Sequence, residues 1–217
     1  MIKIQIVYDN TSIRRDLKAD WGFAAFIQAY GKNILFDTGG NGDILLANME
    51  AMDIDPLSIT DVFISHCHFD HVGGLSAFLN KNNRVILHAP PTVRGVRNVK
   101  AVNYYAKPQK ITRHLFTSGE LENVEQSLAV ETKNGLMIVV GCSHPAMVTI
   151  FGALSPFGEI YGIAGGMHGF DHYQLFAGLK LICPTHCTQH IAEINQYFPN
   201  VTVKGGAGTI IELIDRT

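Results

Sequence analysis

Three histidines and one aspartate fall within six consecutive positions, as His66, His68, Asp70 and His71 in the run Ser65-His-Cys-His-Phe-Asp-His-Val-Gly-Gly-Leu75. Imidazole nitrogens and a carboxylate oxygen at this density suit zinc, manganese or iron, and four such groups this close seldom serve packing. The run follows Asp61-Val-Phe-Ile-Ser65, a β-branched and aromatic stretch that reads as a buried strand. It precedes Gly73-Gly74 and an apolar stretch to Leu79 that reads as a short helix. The fold must therefore supply a strand that ends in a ligand-bearing loop, the position where open α/β proteins place their chemistry. A solvated polar loop that merely contains histidines is the bland alternative, and the ligand set argues against it.

With 217 residues, 47% hydrophobic and 17% charged, the chain suits one globular domain over 1–217 with a substantial core. Seventeen basic and nineteen acidic residues give a net charge of −2, which disfavours nucleic acid or a membrane surface as a general partner. The average hides an asymmetry. No acidic residue lies between Asp70 and Glu120, while Lys81, Arg84, Arg94, Arg97, Lys100, Lys107, Lys110 and Arg113 all do. That stretch reads either as a solvated basic face or as a rim for an anionic substrate. The first eight residues alternate like a strand and lack the apolar centre of a signal peptide, and no apolar run approaches the ~20 residues that span a bilayer. A cytoplasmic protein is expected. Cys67, Cys142, Cys183 and Cys187 read as reduced thiols; cysteine ligation or an iron–sulfur site is one alternative, but no Cys-x-x-Cys pair exists and small buried thiols beside the site are the favoured reading.

Strand-like runs recur at 2–8, 23–30, 33–37, 61–65, 84–88, 127–132, 136–141, 147–151, 159–164, 179–183, 201–204 and 209–214. Helical periodicity appears at 43–52, 74–80, 171–178 and 188–198, with Asn41 or Asp43 and Thr188 as candidate caps. Many strands with few intervening helices predict two sheets covered by helices. The stretch 89–118, broken by prolines and glycines, predicts a long surface loop. Gly39–Gly42 and Gly205–Gly208 match no phosphate-binding fingerprint and read as turns.

Two further histidines end strand-like segments, His144 after Leu136-Met-Ile-Val-Val-Gly-Cys-Ser and His186 after Leu179-Lys-Leu-Ile-Cys-Pro-Thr. Taken with Leu35-Phe36-Asp37-Thr38-Gly39, the 65–75 run, Gly141-Cys142-Ser143-His144-Pro145 and Pro184-Thr185-His186-Cys187, the sequence resembles the metallo-β-lactamase-fold superfamily. Asp9-Asn10-Thr11, Trp21-Gly22, Ser118-Gly119-Glu120, Glu125-Gln126-Ser127-Leu128, Gly165-Gly166-Met167-His168 and Gly208-Thr209-Ile210-Ile211-Glu212 resemble a subgroup similar to dihydropteroate-synthase-like proteins of methanopterin biosynthesis.

The resemblance implies an α/β protein, a four-layer αββα sandwich with a metal site at one edge of its sheets. It implies one or two divalent ions, zinc foremost and iron or manganese as alternatives. His66, His68 and His144 would surround one ion, Asp70, His71 and His186 the second, and Asp37 would stand behind them to orient ligands. Many members bridge the two ions with an aspartate where this chain has Gly165-Gly166-Met167-His168. His168 is then a substitute ligand, a binder of substrate phosphate, a proton donor, or a strand-end histidine bonded to backbone.

The leading expectation is a metal-dependent hydrolase that uses a metal-activated water on a small phosphorylated or otherwise anionic substrate. Asp70 would also orient or take up the water's proton, and Arg94 and Arg97 would pair with phosphate. One alternative is a transferase condensing a dihydropterin with a ribofuranosylaminobenzene phosphate. Another is a phosphodiesterase or nuclease on RNA, with Tyr104 and Tyr105 available for stacking. The last is a non-catalytic metal-binding module.

Overall fold

In the central strands both faces are apolar, and a sheet built from such strands must be covered on each side. The computed structural model describes residues 1–216. Its strands are β1 (Ile2–Tyr8), β2 (Ala24–Ala29), β3 (Lys32–Phe36), β4 (Asp61–Phe63), β5 (Ile86–Ala89), β6 (Ala101–Tyr104), β7 (Gln109–Lys110), β8 (Leu115–Thr117), β9 (Leu128–Thr132), β10 (Gly135–Val140), β11 (Ile160–Gly166), β12 (Leu181–Thr185) and β13 (Ile210–Leu213). They form a seven-stranded sheet, β13-β1-β2-β3-β4-β5-β6, and a six-stranded sheet, β12-β11-β10-β9-β8-β7. The helices are α1 (Gly42–Ala51), α2 (Phe69–Val72), α3 (Leu75–Lys81), α4 (Met147–Leu154) and α5 (Ile191–Tyr197).

Period-two alternation sorts the side chains into layers. Ile34, Phe36 and Phe63 of the first sheet meet Val130, Met137 and Val139 of the second in a core between the sheets. Leu35 and Val62, one residue out of phase, face Leu45 and Met49 of α1 and Phe78 of α3. In the second sheet Ile138, Val140 and Ile163 pack outward against Ile150 and Leu154 of α4 and Ile194 of α5. The result is the expected four-layer αββα sandwich. Among the described residues, no helix is long and apolar enough to cross a membrane.

Strand direction places the site. β3 through β6 run parallel, as do β10 through β12, so their carboxyl ends gather at one edge. β1 runs with β3, because each is antiparallel to the β2 between them.

Several expected elements differ. Residues 147–151 form the start of α4, since Met147, Ile150, Phe151 and Leu154 recur at helical spacing that a five-residue window hides. The 89–118 stretch carries β6, β7 and β8, two of them exposed edge strands without apolar alternation. Residues 201–204 contribute only the Ile182–Thr202 bridge, and the 171–178 helix is one 3-10 turn at Tyr173–Phe176. Asn41 caps α1 by accepting from the Asp43 and Ile44 N–H groups. Thr188 does not cap α5; its hydroxyl donates to the Thr185 carbonyl and accepts from Met167 N–H.

Candidate metal centre

Each candidate ligand leaves a strand at its carboxyl end. His66, His68, Asp70 and His71 follow β4, with His71 carried by α2; His144 follows β10, His168 follows β11 and His186 follows β12. Asp37, Ser143, His168 and His186 all take left-handed backbone angles, with φ of 52°, 57°, 44° and 54°. Non-glycine residues seldom adopt this region, and a cluster of them marks strain held in place by surrounding contacts.

Two ligand groups result. His68 Nδ1 stands 3.1 Å from both His66 Nε2 and His144 Nε2. One proton on His68 Nδ1 can serve only one of these neighbours, so His68 cannot donate to both. Nitrogens bound to one tetrahedral zinc at ~2.0–2.1 Å stand ~3.3 Å apart, close to this spacing. In the second group Asp70 Oδ2 lies 3.6 Å from His71 Nε2 and 3.3 Å from His186 Nε2. His186 Nε2 is nevertheless buried without a hydrogen-bond partner among the described residues. The Cys142 Sγ sits 3.1 Å from His71 Nε2.

Hydrogen bonds behind the rings decide which nitrogens are bare. Asn10 Oδ1 accepts from Gly22 N–H at 3.0 Å and its Nδ2 donates to the His186 carbonyl at 2.9 Å, which fixes the amide orientation. The His186 Nδ1 at 3.0 Å must then donate to Oδ1, leaving Nε2 as a lone pair. Buried Asp37 does the same twice. Its Oδ2 accepts from His71 Nδ1 at 2.7 Å and from the Ser65 hydroxyl at 2.6 Å, while its Oδ1 accepts from Ser65 N–H at 2.7 Å. Because Ser65 donates to Asp37, it accepts from His66 Nδ1 at 2.9 Å, and His66 Nε2 is bare as well. An orphaned imidazole nitrogen and several lone pairs aimed at common points are a donor set that fits divalent cations.

The electrostatics agree for His66 and His144, whereas His71 is drawn toward its protonated form. Burial and the neighbouring imidazoles hold His66 far below the ordinary histidine range. Burial, then His68 and His168, push His144 down to about 4. Burial pushes the Asp70 carboxyl up, but His186 and His71 outweigh it and keep the group ionised. For His71, burial lowers the pKa and the Asp37 carboxylate more than restores it.

Two carboxylates that sequence reasoning gave no site role anchor the loops. Fully buried Glu125 accepts from the N–H groups of Gly141, Cys142, Ser143 and His144 at 2.9–3.2 Å. Burial pushes its pKa up, and the N–H groups of His144, Cys142 and Ser143, with the charge of His71, work against the rise. Asp9 accepts from His186 N–H at 2.8 Å and from the Thr185 hydroxyl. The available signal was positional: Asp9, like Asp37, directly follows a strand.

A cavity of about 920 Å³ opens beside His144 and His168, with Met147, Val148, Met167 and Phe170 in its walls. His168 is exposed, and its ring centroid lies 5.2 Å from that of His144. Among the described residues its ring has no hydrogen bond, while its carbonyl accepts from Gln189 N–H at 2.8 Å. Arg94 and Arg97 are not brought to this place. Arg94 bonds the Pro91 carbonyl, and Arg97 lines a separate groove with Ser76, Asn80 and Lys81. Both belong to the β5–β6 side of the first sheet, whereas loops of the second sheet build the cavity.

Comparison with known proteins gives the same picture. Residues 22–175 match the family model of the metallo-beta-lactamase superfamily. The chain is 28% identical to the 7,8-dihydropterin-6-methyl-4-(beta-D-ribofuranosyl)-aminobenzene-5'-phosphate synthase of Methanocaldococcus jannaschii, over 75% of this chain and 77% of that protein. It is 33% identical to a ribonuclease Z of Methanococcus aeolicus over 41% of this chain and 29% of that one. The crystal structure of Tm1679, a metal-dependent hydrolase of the beta-lactamase superfamily, is similar at a TM-score of 0.80 and 23% identity, covering 99% of this chain and 100% of that chain. A family match across most of the length, on two sheets whose strand ends gather histidines at one edge, makes this chain a member of the metallo-β-lactamase superfamily.

Proposed function

We propose that the protein is a metal-dependent hydrolase acting on a small phosphorylated or otherwise anionic molecule. His66, His68 and His144 would hold one divalent ion and Asp70, His71 and His186 a second, with zinc favoured by the nitrogen-rich set. When bound, such an ion lowers the pKa of a coordinated water toward ~7 and polarises the substrate oxygen. The observation that carries this reading is His186 Nε2, buried and unpartnered while Asn10 holds the other ring proton.

The chain's own residues divide the remaining work. His66, His71 and His186 are buried, whereas His68 is exposed and His144 half-buried, so the centre opens on the side of the cavity. Asp70, kept ionised and half-buried, would orient the attacking water and take its proton. His168, at the cavity wall, is placed to hold an anionic group or deliver a proton to the leaving group. No lysine or arginine among the described residues lines the cavity, so anion recognition there falls to the metal centre and His168 rather than to Arg94 and Arg97. The test is metal content of protein purified without added metal, paired with hydrolysis of a panel of phosphoesters. Activity that disappears with a chelator and returns with zinc is expected; a folded protein that takes up no divalent ion overturns the reading.

A second reading is supported by the Methanocaldococcus relative, whose name is that of a synthase. Here the chain would join a dihydropterin to a ribofuranosylaminobenzene phosphate, and the apolar cavity walls would take flat rings. Incubation with the two precursors separates the readings, since only the transferase yields a pterin conjugate. RNA phosphodiester cleavage draws support from the ribonuclease Z relative over less than half of the chain. Steeply salt-dependent RNA binding would favour it over both.

A further inference from the structure

We infer that the Cys142 thiolate is itself a metal ligand, shared by the two halves of the centre. The inference rests on the metal centre proposed above and adds the donor that joins its halves.

Cys142 Sγ belongs to both ligand groups. With Asp70, His71 and His186 it forms one set, and with His66 and His144 another, and within each set the donor atoms lie within 4.8 Å of one another. No other residue is common to the two sets. Besides the Cys187 thiol, which stands beside it, the sulfur faces imidazole nitrogens. His71 commits its Nδ1 to Asp37, so in the neutral ring its Nε2, 3.1 Å from Sγ, meets the sulfur as a lone pair. His186 Nε2 is aimed into the same set, 3.3 Å from Asp70 Oδ2 but without a hydrogen bond among the described residues, and its side chain is fully buried. A thiol proton can satisfy one such nitrogen, whereas a cation satisfies both and the sulfur as well.

The end of β11 cannot supply the shared anion. A Cβ at Gly166 would lie 2.7 Å from Cys187 Sγ and 3.2 Å from Cys142 Cα, and would collide with the Gly141 carbonyl. At Gly165 the φ of +125° and a collision with the Val140 carbonyl exclude a side chain. The space between the groups is therefore filled from β10, by Cys142, whose loop the Glu125 carboxylate locks through the N–H groups of Gly141 to His144. On binding, the thiol loses its proton to solvent, and the thiolate joins Asp70 as a second anionic donor. A sulfur ligand favours zinc or iron over manganese, which prefers oxygen.

Full-length protein loaded with cobalt, and separately with zinc, tests this. Cobalt-loaded wild type should show sulfur-to-cobalt charge-transfer absorption in the near ultraviolet. Zinc-edge X-ray absorption should find sulfur at ~2.3 Å, at about one sulfur per ion for a shared thiolate. Cys142→Ser should lose both signals, and Cys187→Ser should keep them. Wild type that binds two ions without a sulfur neighbour overturns the inference and leaves the histidine centre standing. A signal that survives Cys142→Ser, or vanishes in Cys187→Ser, overturns it too. Protein that binds no ion overturns the centre itself. Should Cys142→Ser fail to fold, the sulfur count in wild type and in Cys187→Ser decides the question without it.

Discussion

Replacing Asp37 with asparagine tests whether one buried carboxylate sets the proton positions on two histidines in different halves of the centre. The carboxylate accepts three bonds, from Ser65 N–H at 2.7 Å, the Ser65 hydroxyl at 2.6 Å and His71 Nδ1 at 2.7 Å. Asparagine offers one oxygen and one NH2 group to the same three donors. With NH2 in the Oδ2 position, His71 must turn a bare Nδ1 toward it and carry its proton on Nε2, facing Asp70 and Cys142. With NH2 in the Oδ1 position, it meets Ser65 N–H, donor against donor. Hydrogen bonds to a charged group contribute about 1.5–3 kcal/mol each, and a buried unsatisfied donor costs about 1–3 kcal/mol. The metal-free protein should therefore lose about 2–4 kcal/mol of stability, read by urea unfolding. Loss of an outer partner of a histidine ligand typically weakens metal binding ~10–100-fold. Competition with a chromophoric chelator should show that loss for both ions in Asp37→Asn. In Ser65→Ala it should appear mainly for the ion held by His66, whose tautomer depends on the serine hydroxyl. An Asp37→Asn protein that binds both ions as tightly as wild type refutes the reasoning.

Three other outcomes are expected. Asp61 is buried, and although burial raises its pKa, bonds from His88, Thr60 and Lys32 bring it down from 3.8 to about 2. A depressed carboxylate stabilises the fold above its unfolded pKa and loses that contribution as pH falls through the folded value, here about 2 kcal/mol lost between roughly pH 4 and pH 2. Asp61→Asn should flatten that acid limb in denaturant titrations, and an unchanged limb would assign acid sensitivity elsewhere. Phe36 is fully buried between Phe23 and Phe63, so Phe36→Ala should cost about 3–5 kcal/mol in unfolding experiments, with a much smaller cost contradicting the packing described. His168→Ala should lower kcat about 100-fold while metal stoichiometry stays unchanged, as for loss of a proton donor. Unaltered kcat would remove His168 from the chemistry.

What the sequence discloses follows from the range of the interactions involved. The β3, β4, β10 and β12 strands are legible because both of their faces are buried, so the apolar signal is local and dense. The His66–His71 run is legible for the same reason. β6 and β7 escape notice because edge strands on the surface need no apolar face, and α4 is misread because a helix period needs more than five residues to emerge. Asp9, Asn10 and Glu125 are the harder class. In sequence they are ordinary polar residues in turns, and only the fold reveals that each meets its partners far along the chain, Asp9 and Asn10 at His186 and Glu125 at Gly141 to His144. The basic stretch shows the converse error. Charge composition records that Arg94 and Arg97 exist, but topology decides which edge of the first sheet they occupy.

The distribution of these anchors explains how so many strained and desolvated groups stay in place before any ligand arrives. Asp9 and Asn10 leave β1 in the first sheet and hold His186, which leaves β12 in the second. In the opposite sense Gln126, at the start of β9, donates from its side chain to the Ile64 carbonyl at 2.8 Å and from its backbone to Ser65 at 2.9 Å, gripping the loop that carries His66. The His186 and His66 loops are thus tied to the sheet they do not belong to, while Glu125 holds the His144 loop from within its own sheet. Sliding one sheet over the other would break both sets of bonds at once, along with the core between the sheets, so the relative position of His66, His71, His144 and His186 is fixed by the sandwich itself. The left-handed angles at Asp37, Ser143, His168 and His186 then have a physical source. At His186 the sharp turn lets bonds to the opposite sheet form, whereas at Asp37 and Ser143 it serves bonds to Ser65, His71 and Glu125 within the same sheet. The strain of those turns, of order 1–3 kcal/mol each, is offset by the burial of the two packed sheets. Pre-organisation of this kind would make the ion affinity of the proposed centre sensitive to Asp9, Asn10 and Gln126, which touch no candidate donor atom except through the loops and rings they hold.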